Sequence, residues 1–248
     1  MIKLLSVTWS YSNDYDYTNT FLYKSFIKYN NKNNFINIHF NRNLYFNLEK
    51  QFENKFGYQY EYILYKIFLL KLKLQQINSK YIIFSDTNDV ACLGSIKDLE
   101  MQESKFLHDI IFSSEIHQYP SEAIWNVYPE ENKKTKTFLN SGLFIGSVSN
   151  IEAFITKCID QVLPLEYKNF GGDQGVYTYA YIHQNLNNNI VLDQNSEFFL
   201  STYLKSTNCF YYQNNRIINK NNDYSPLFIH DNGWNYGSPK FIEKFNLI

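Results

Sequence analysis

The chain has 248 residues, a length that predicts one large domain or two small ones. Hydrophobic residues make up 44% of it and charged residues 19%, so it can bury a sizeable core and does not belong to the disordered class. The 23 basic and 24 acidic side chains leave a net charge of -1, which excludes a chain-wide basic surface for nucleic acid.

The first half of the chain alternates strand-like and helix-like patterns. Strands are predicted where short apolar or alternating runs occur, and helices where apolar residues recur every three or four positions. In chain order these are a strand at 2–8, a helix at 18–29, a strand at 35–40, a helix at 58–77, and strands at 80–85 and 109–114. The alternation favours an α/β sheet covered by helices on both faces.

The second half has a less regular pattern. Residues 138–148 are apolar on both sides of Ser141 and Gly142, which is typical of an interrupted strand. Further along are helices at 151–163 and 173–184, weaker strands at 189–192, 209–213 and 227–229, and a short helix near 239–245. No repeat, Pro/Gly-rich linker or composition break is visible, so residues 1–248 are predicted to form a single domain.

Cysteine usage and the apolar stretches bear on the cellular compartment. The three cysteines are far apart and form no CxxC pair, which is typical of free thiols in a reducing compartment. The apolar run at the N-terminus is too short for a signal-peptide core. Lysines interrupt the apolar stretch 62–74, which argues against a membrane span. We expect a cytoplasmic protein, for which peripheral association with a membrane is left open.

A polar loop with two carboxylates directly follows the strand predicted at 80–85. In open α/β sheets ligands bind beyond the carboxyl ends of the strands. Asp86 and Asp89 could therefore converge on one divalent cation, and oxygen ligands suit Mg²⁺ or Mn²⁺. Chance alone gives about half a DxxD pair in a chain of this composition. Aspartates that cap the following helix are thus an equally good interpretation.

Three further segments combine small residues with hydrogen-bonding side chains. Gly142 allows a close approach beside the Asn140 amide, although a β-bulge is the simpler interpretation. Asp173 follows two glycines at a predicted helix start, where helix capping is the simpler role. His230 ends a predicted strand before a polar turn, which only modestly favours a ligand over a structural histidine.

Five blocks occur along the chain in one order. They are FSDTNDV at 84–90, FLNSGLFIG at 138–146, GGDQGVYT at 171–178, IVLDQNSEFF at 190–199 and PLFIHDNG at 226–233. Together they resemble the glycosyltransferase domain of the collagen lysyl hydroxylase/glycosyltransferase family, over nearly the whole chain. The resemblance implies a GT-A nucleotide-sugar fold, with a mixed, mostly parallel central sheet flanked by helices.

The resemblance also implies roles for single residues. In that family two Asp and one His bind Mn²⁺ together with the diphosphate of a UDP-sugar. These residues match Asp86, Asp89 and His230 in this sequence, and Mg²⁺ is the alternative to Mn²⁺. The blocks that line the sugar and the acceptor supply the catalytic candidates Asn140, Asp173 and Gln174. The remaining donor-binding candidates are Thr8, Lys66, Asn88, Asn232 and Gly233.

Three departures from the family pattern lie on the sugar or acceptor side. An acidic run of the family is Gly171-Gly172 here, its Trp-Pro is Tyr119-Pro120, and the Pro after its last Asn-Gly is Trp234. A collagen acceptor is therefore not implied.

The resemblance implies a metal-dependent, hexosyltransferase-like enzyme that moves a sugar from a UDP-linked donor to a glycan or glycoconjugate, as in polysaccharide biosynthesis. Two alternatives stay open. One is a nucleotide-sugar or carbohydrate-binding protein without turnover. The other is a metal-dependent phosphohydrolase or nucleotidyltransferase that uses Asp86 and Asp89. No nucleic-acid partner is expected.

Overall fold

The computed structural model describes residues 1–10, 15–56, 64–107, 109–119, 128–165, 172–183, 190–203, 205, 207–214, 216–232, 240–245 and 247. The strands are β1 Ile2–Trp9, β2 Phe35–Phe40, β3 Tyr81–Ser85, β4 Val90–Cys92, β5 Ile110–Glu115, β6 Phe138–Ser147, β7 Ile190–Asp193, β8 Phe199–Ser201, β9 Phe210–Gln213, β10 Arg216–Asn219 and β11 Phe228–His230. The helices are α1 Phe21–Tyr29, α2 Arg42–Phe56, α3 Tyr65–Leu74, α4 Ile96–Glu100, α5 Glu130–Thr135, α6 Val148–Lys157, α7 Asp173–His183 and α8 Lys240–Lys244.

The central sheet has six strands in the order β2-β1-β3-β6-β5-β7. Strand β6 runs antiparallel to β3 and β5, while the other pairs are parallel. The predicted mixed and mostly parallel sheet is therefore confirmed. As a result, the carboxyl ends of β1, β3, β5 and β7 lie at the same edge of the sheet, beside the first half of β6.

A second sheet of three strands has the order β4-β11-β8. Strand β11 is antiparallel to β4 and parallel to β8, which places His230 opposite Val90 and Ser201. Because Val90 directly follows Asp89, this pairing brings the C-terminal part of the chain to the loop after β3. Strands β9 and β10 form a separate antiparallel hairpin.

Helices cover both faces of the central sheet. Along β3, Ile82 and Phe84 pack into one apolar cluster, with α3, α6 and α7, while Tyr81 and Ile83 pack into a second cluster with α1 and α4. All five residues of β3 are buried, as expected for a strand covered on both sides. Burial of each such apolar side chain stabilises the fold by about 1.5–3 kcal/mol. None of the helices in the described ranges combines the length and apolarity that a bilayer crossing requires.

The prediction missed several elements and misplaced others. Helix α2 is absent from the prediction, although Leu44, Leu48 and Phe52 recur every four positions and Asn41 accepts a hydrogen bond from the Leu44 amide at the start of the helix. Strands β4, β8 and β10 have three or four residues each and are too short to show a period.

The helix predicted at 18–29 begins at Phe21, because the Thr20 side chain caps it, and the helices predicted at 58–77 and 151–163 also have different bounds in the structure. The helix predicted at 58–77 is observed as α3, Tyr65–Leu74, and positions 58–63 lie outside the described residues. The helix predicted at 151–163 begins earlier, at Val148, because the Ser147 side chain caps it, and its last turn, Cys158–Val162, is a π-helix.

Candidate active site

The loop after β3 is held in place by three neighbouring elements. The Asp86 amide donates to the carbonyl of Gly142 on β6 at 2.8 Å, and the Thr87 hydroxyl donates to the carbonyl of Val7 on β1 at 3.0 Å. The Asp231 amide, just after β11, donates to the Asp89 carbonyl at 2.8 Å. The backbone itself therefore sets the positions of the loop carboxylates at the carboxyl edge of the sheet.

The structure brings Asp86, Asp89 and His230 together. Nε2 of His230 lies 3.3 Å from Oδ2 of Asp89 and 4.0 Å from Oδ2 of Asp86. Burial disfavours the imidazolium, but the attraction of Asp89 and Asp86 outweighs burial and raises the pKa of His230 to about 9. Removal from water raises the pKa of Asp86, whereas the His230 charge, acting against burial, lowers that of Asp89. At neutral pH, His230 and Asp89 form an ion pair.

The other nitrogen of His230 sets the tautomer of the ring. Nδ1 lies 3.0 Å from Oδ1 of Asn140, and the same oxygen accepts the amide hydrogen of Gly142 at 3.1 Å. An oxygen that already accepts from a backbone amide is the acceptor in its second contact as well, so Nδ1 of His230 carries a proton. In the neutral imidazole the lone pair is then on Nε2, the atom that faces the two carboxylates.

Lys66 links the loop after β3 to the start of α7. Its Nζ lies 2.8 Å from Oδ1 of Asp86 and 2.7 Å from Oδ2 of Asp173. Burial opposes the lysine charge, but Asp173 and Asp86 outweigh it and raise the pKa of Lys66. Asp173 is buried and is the first residue of α7, where the helix dipole also favours a negative charge. Its carboxylate contacts Lys66 at this position, an interaction that a helix-capping role does not require.

A network of amides lies beside these charges and is centred on Glu115, which the sequence analysis missed. Nε2 of Gln174 donates to Oε1 of Glu115 at 2.6 Å, and Nδ2 of Asn232 donates to Oε2 at 2.7 Å. Oε1 of Gln174 accepts from the Ser141 amide at 3.2 Å and from Nδ2 of Asn140 at 3.5 Å. Burial raises the pKa of Glu115 to about 7, even though these donors favour its carboxylate form. Its position directly after the strand predicted at 109–114 is the feature of the sequence that could have identified Glu115.

A break in the β5–β6 pairing positions Asn140. The register passes from Phe112 opposite Phe144 to Ser113 opposite Asn140, so residues 141–143 bulge out of the ladder. The β-bulge considered as the simpler interpretation is therefore present. The same bulge brings the Asn140 amide and the Gly142 backbone to His230, so the two interpretations hold together.

Two further donor-binding candidates form hydrogen bonds with neighbouring polar side chains. Thr8 is buried at the end of β1, where its hydroxyl accepts from Nδ2 of Asn37 at 3.0 Å. Asn88 is exposed and its Oδ1 accepts from the Tyr15 hydroxyl at 3.4 Å. Gly233 lies outside the described residues, as do Gly171, Pro120 and Trp234.

The site as it stands is organised by ion pairs. Across the described ranges, no three His, Cys, Asp or Glu side chains are already arranged to hold a metal ion. Instead, His230 pairs with Asp89, and Lys66 bridges Asp86 and Asp173. The arrangement can bind cations through its carboxylates and can accept or donate hydrogen bonds through its amides.

Replacing Gly142 with Ala tests whether the site requires this close packing. A Cβ atom at residue 142 would lie 2.2 Å from Cε1 and 2.6 Å from Nδ1 of His230, and 3.0 Å from Oδ2 of Asp86. The imidazole has partners at both nitrogens and cannot move without breaking a contact. We expect the variant to lose about 1–3 kcal/mol of unfolding free energy. Because the ring is pushed from Asp89, the pKa of His230 measured by NMR should fall below about 9.

Ser141→Ala is the matched control, because it changes a neighbouring buried residue of β6 without adding an atom. Wild-type stability in Gly142→Ala, together with an unchanged pKa of His230, would contradict the packing described above.

Similarity to known proteins extends over much of the chain. A family model described as the PLOD GT domain matches residues 50–238. The chain is 29% identical over 172 residues to the uncharacterized protein R699 of Acanthamoeba polyphaga mimivirus, covering 68% of this chain and 35% of that protein. It is 31% identical over 157 residues to the human multifunctional procollagen lysine hydroxylase and glycosyltransferase LH3, covering 61% of this chain and 20% of LH3.

A shorter match is to the procollagen-lysine,2-oxoglutarate 5-dioxygenase of Drosophila melanogaster, 32% identical over 79 residues, or 32% of this chain and 11% of that protein. The chain thus spans about a third of the mimivirus protein and a fifth or less of the two animal proteins in these matches.

Proposed function

The chain belongs to the family of the PLOD GT domain, the glycosyltransferase domain of collagen lysyl hydroxylases, and on this premise we propose that it is a metal-dependent glycosyltransferase with a UDP-sugar donor. One observation carries the proposal. Asp86, Asp89 and His230 converge at the carboxyl end of β3, the edge where open α/β sheets bind ligands.

The residues at this edge fit a divalent cation. Two carboxylates and an imidazole are a donor set that suits Mn²⁺, and the two carboxylates also suit Mg²⁺. The contact between Nδ1 of His230 and Oδ1 of Asn140 leaves Nε2 as the ligand atom, an arrangement common to metal-binding histidines. Three carboxylates, those of Asp86, Asp89 and Asp173, face one lysine and one histidine, so a further cation is electrostatically favourable. When bound, the ion would supply Lewis-acid stabilisation of the departing diphosphate.

The other residues of the site have roles that follow from their contacts. Lys66 holds a positive charge beside Asp86 and supports the binding of a diphosphate. Asp173 lies on the other side of that lysine, where its carboxylate can stabilise positive charge that develops on the transferred sugar. Asn140 and Gln174 orient hydroxyl groups of the sugar through their amides, and Glu115 anchors Gln174.

The acceptor side supports a glycan or glycoconjugate acceptor. Tyr119, which stands where the resembling family has Trp, is 52% exposed next to this network, and its carbonyl accepts a hydrogen bond from Gln174 at 3.2 Å. An exposed aromatic ring at the edge of a sugar site offers a surface for sugar stacking. The three cysteines are free, which supports a reducing compartment such as the cytoplasm.

A panel of nucleotide sugars measured by thermal shift, with and without Mn²⁺, tests the proposal. We expect UDP-sugar and Mn²⁺ together to raise Tm, since a ligand at a hundred times its Kd stabilises a protein by about 2.7 kcal/mol. For a chain of this size that corresponds to a Tm increase of about 5–10 °C. Donor hydrolysis or transfer, followed as UDP release, should accompany it.

Each alternative has its own result. UDP binding without any hydrolysis or transfer would identify a binding protein. Release of phosphate or pyrophosphate from other substrates, with UDP-sugars ignored, would identify a phosphohydrolase or nucleotidyltransferase. Either result would overturn the proposed function.

A further inference from the structure

Lys205 is a partly buried cation without a carboxylate partner among the residues that the structure describes. Its Nζ lies 3.3 Å from the hydroxyl oxygen of Ser196, and its backbone amide donates to the Thr202 carbonyl at 2.8 Å in a tight turn. An ammonium group has three hydrogens to donate. The contact with Ser196 uses one of them, and among the described residues the other two are available to a ligand.

The turn that carries Lys205 lies at the same sheet edge as the proposed active site. It follows β8, and the amides of Thr202 and Tyr203 both donate to Oδ1 of Asn232, at 3.1 and 3.0 Å. Nδ2 of Asn232 in turn donates to Glu115. The rings of His117 and Tyr203 also meet edge to face, with their centroids 5.3 Å apart. Lys205 is therefore connected to the Glu115 side of the site.

Strand β7 brings Ser196 to the same place. Asp193 at the end of β7 pairs with Ser113 on β5, and the Ser114 hydroxyl donates to the Asp193 carbonyl at 2.7 Å. The Ser196 amide then donates to the same carbonyl at 3.3 Å. Lys205 and Ser196 thus stand beside the carboxyl ends of β5 and β7.

The two carboxylates that act on Lys205 are already occupied. Oδ1 of Asp193 accepts from the Glu197 amide, and Oδ2 accepts from the amides of Phe198 and Phe199, each at 2.8 Å. Both oxygens of Glu115 accept from side-chain amides. Burial lowers the pKa of Lys205, while the charges of Asp193 and Glu115 act in the opposite direction. These charges help Lys205 to stay protonated without neutralising it by direct contact.

We propose that Lys205 binds the carboxylate of a uronic-acid sugar, an inference that rests on the proposed glycosyltransferase function. A carboxylate is a single negative charge that one ammonium group can neutralise through charge-assisted hydrogen bonds. The negative field of Asp193, and of Glu115 when it is ionised, opposes a doubly charged phosphate more strongly than a singly charged carboxylate at the same place. The diphosphate of the donor has its own partners in Lys66 and the loop after β3. The carboxylate belongs either to the acceptor or to the transferred sugar.

Two matched pairs of ligands distinguish these sources. In the donor arm, UDP-glucuronate is compared with UDP-glucose by UDP release in the absence of an acceptor. In the acceptor arm, methyl glucuronide is compared with methyl glucoside, both by transfer and by direct binding to the protein alone in NMR titrations. Direct binding needs neither a donor nor turnover.

The wild-type protein is expected to favour the uronate at least tenfold in one arm. Lys205→Met and Lys205→Gln should lose this preference and keep wild-type hydrolysis of UDP-glucose, while Lys205→Arg should retain most of it. Lys220→Met, a change at an exposed lysine bonded to the Asn208 carbonyl, is the control. Two neutral substitutions are compared so that, if one variant fails to fold, the other still tests the inference.

A wild-type protein that shows no preference for the uronate in either arm would overturn this inference. A Lys205→Met variant that keeps the preference would also overturn it. If no UDP-sugar is bound or hydrolysed, the proposed function fails, yet the NMR titration of the two methyl glycosides still decides on Lys205. A failure of the proposed function is thereby distinguishable from a failure of the inference about Lys205.

Discussion

The Asp89→Asn variant is expected to fold and to lose the stabilisation that UDP-sugar and Mn²⁺ together give the wild-type protein. The substitution removes one of the two loop carboxylates and takes away the ion-pair partner of His230 at 3.3 Å. A cation then faces one carboxylate fewer, and ligand-linked stabilisation should fall from about 2.7 kcal/mol to near zero. The measurement is the Tm shift with both ligands, beside metal titration by calorimetry.

The fold should survive because Asp89 is in a loop, and because its backbone carbonyl, which is kept, makes the bond to the Asp231 amide. His230 can respond to the loss of its partner by releasing its proton, so we expect a stability loss of about 1–3 kcal/mol without ligand. Asp98→Asn, at a carboxylate paired with Arg216 on the surface, is the control. An unfolded Asp89→Asn variant would assign this residue a structural role, and an unchanged Tm shift would remove it from the metal site.

The Asp173→Asn variant is expected to lower turnover by about 10²–10³-fold with little change in donor affinity. Asp173 contacts Lys66 at 2.7 Å and is separated by that lysine from the loop after β3. A carboxylate on the sugar side acts on charge that exists only in the transition state, so its loss should reduce the rate and leave ground-state binding intact. The measurement is kcat for transfer or donor hydrolysis beside the Kd for UDP.

The competing role of Asp173 is stabilisation of the start of α7. As a capping side chain Asn serves nearly as well as Asp, but it lacks the charge that interacts with the helix dipole in the first turn of α7. Glu131→Gln is the control, because it removes a charge from the first turn of α5. We expect it to lower the free energy of unfolding by about 0.3–1 kcal/mol without affecting turnover. Full activity of Asp173→Asn would limit the residue to the helix terminus, and the charge that assists sugar transfer would have to come from another group.

Local patterns were enough to predict the elements that build the site edge. The strands that end near Thr8, Asp86 and Asp193 are short apolar runs, and each is in the central sheet where the alternation of strands and helices indicated. The acidic loop followed from the same logic, since its residues come directly after a buried strand. Where boundaries can be compared, most agreed to within a few residues, and the predicted start of the helix at 58–77 lies outside the described residues.

Contacts between distant parts of the chain could not be predicted from local patterns. Nothing near residue 230 indicates that β11 pairs with β4, yet this pairing carries His230 to Asp89. Only the family resemblance linked them. The bond between Lys66 and Asp173 likewise depends on how α3 and α7 pack on one face of the sheet. Glu115 could have been found by applying the strand-end argument to β5 as well as to β3.

The three-stranded sheet has a consequence for the order in which the molecule is made. Synthesis from the N-terminus produces Asp86 and Asp89 long before β11. To pair β11 with β4, the chain must close a loop that contains more than half of its residues. Such non-local pairing is slow to form compared with helices and hairpins. A growing chain on the ribosome can therefore assemble the central sheet while its two loop carboxylates still lack their imidazole. Donor binding is thereby deferred until β11 has docked, which makes completion of the site a late event of folding.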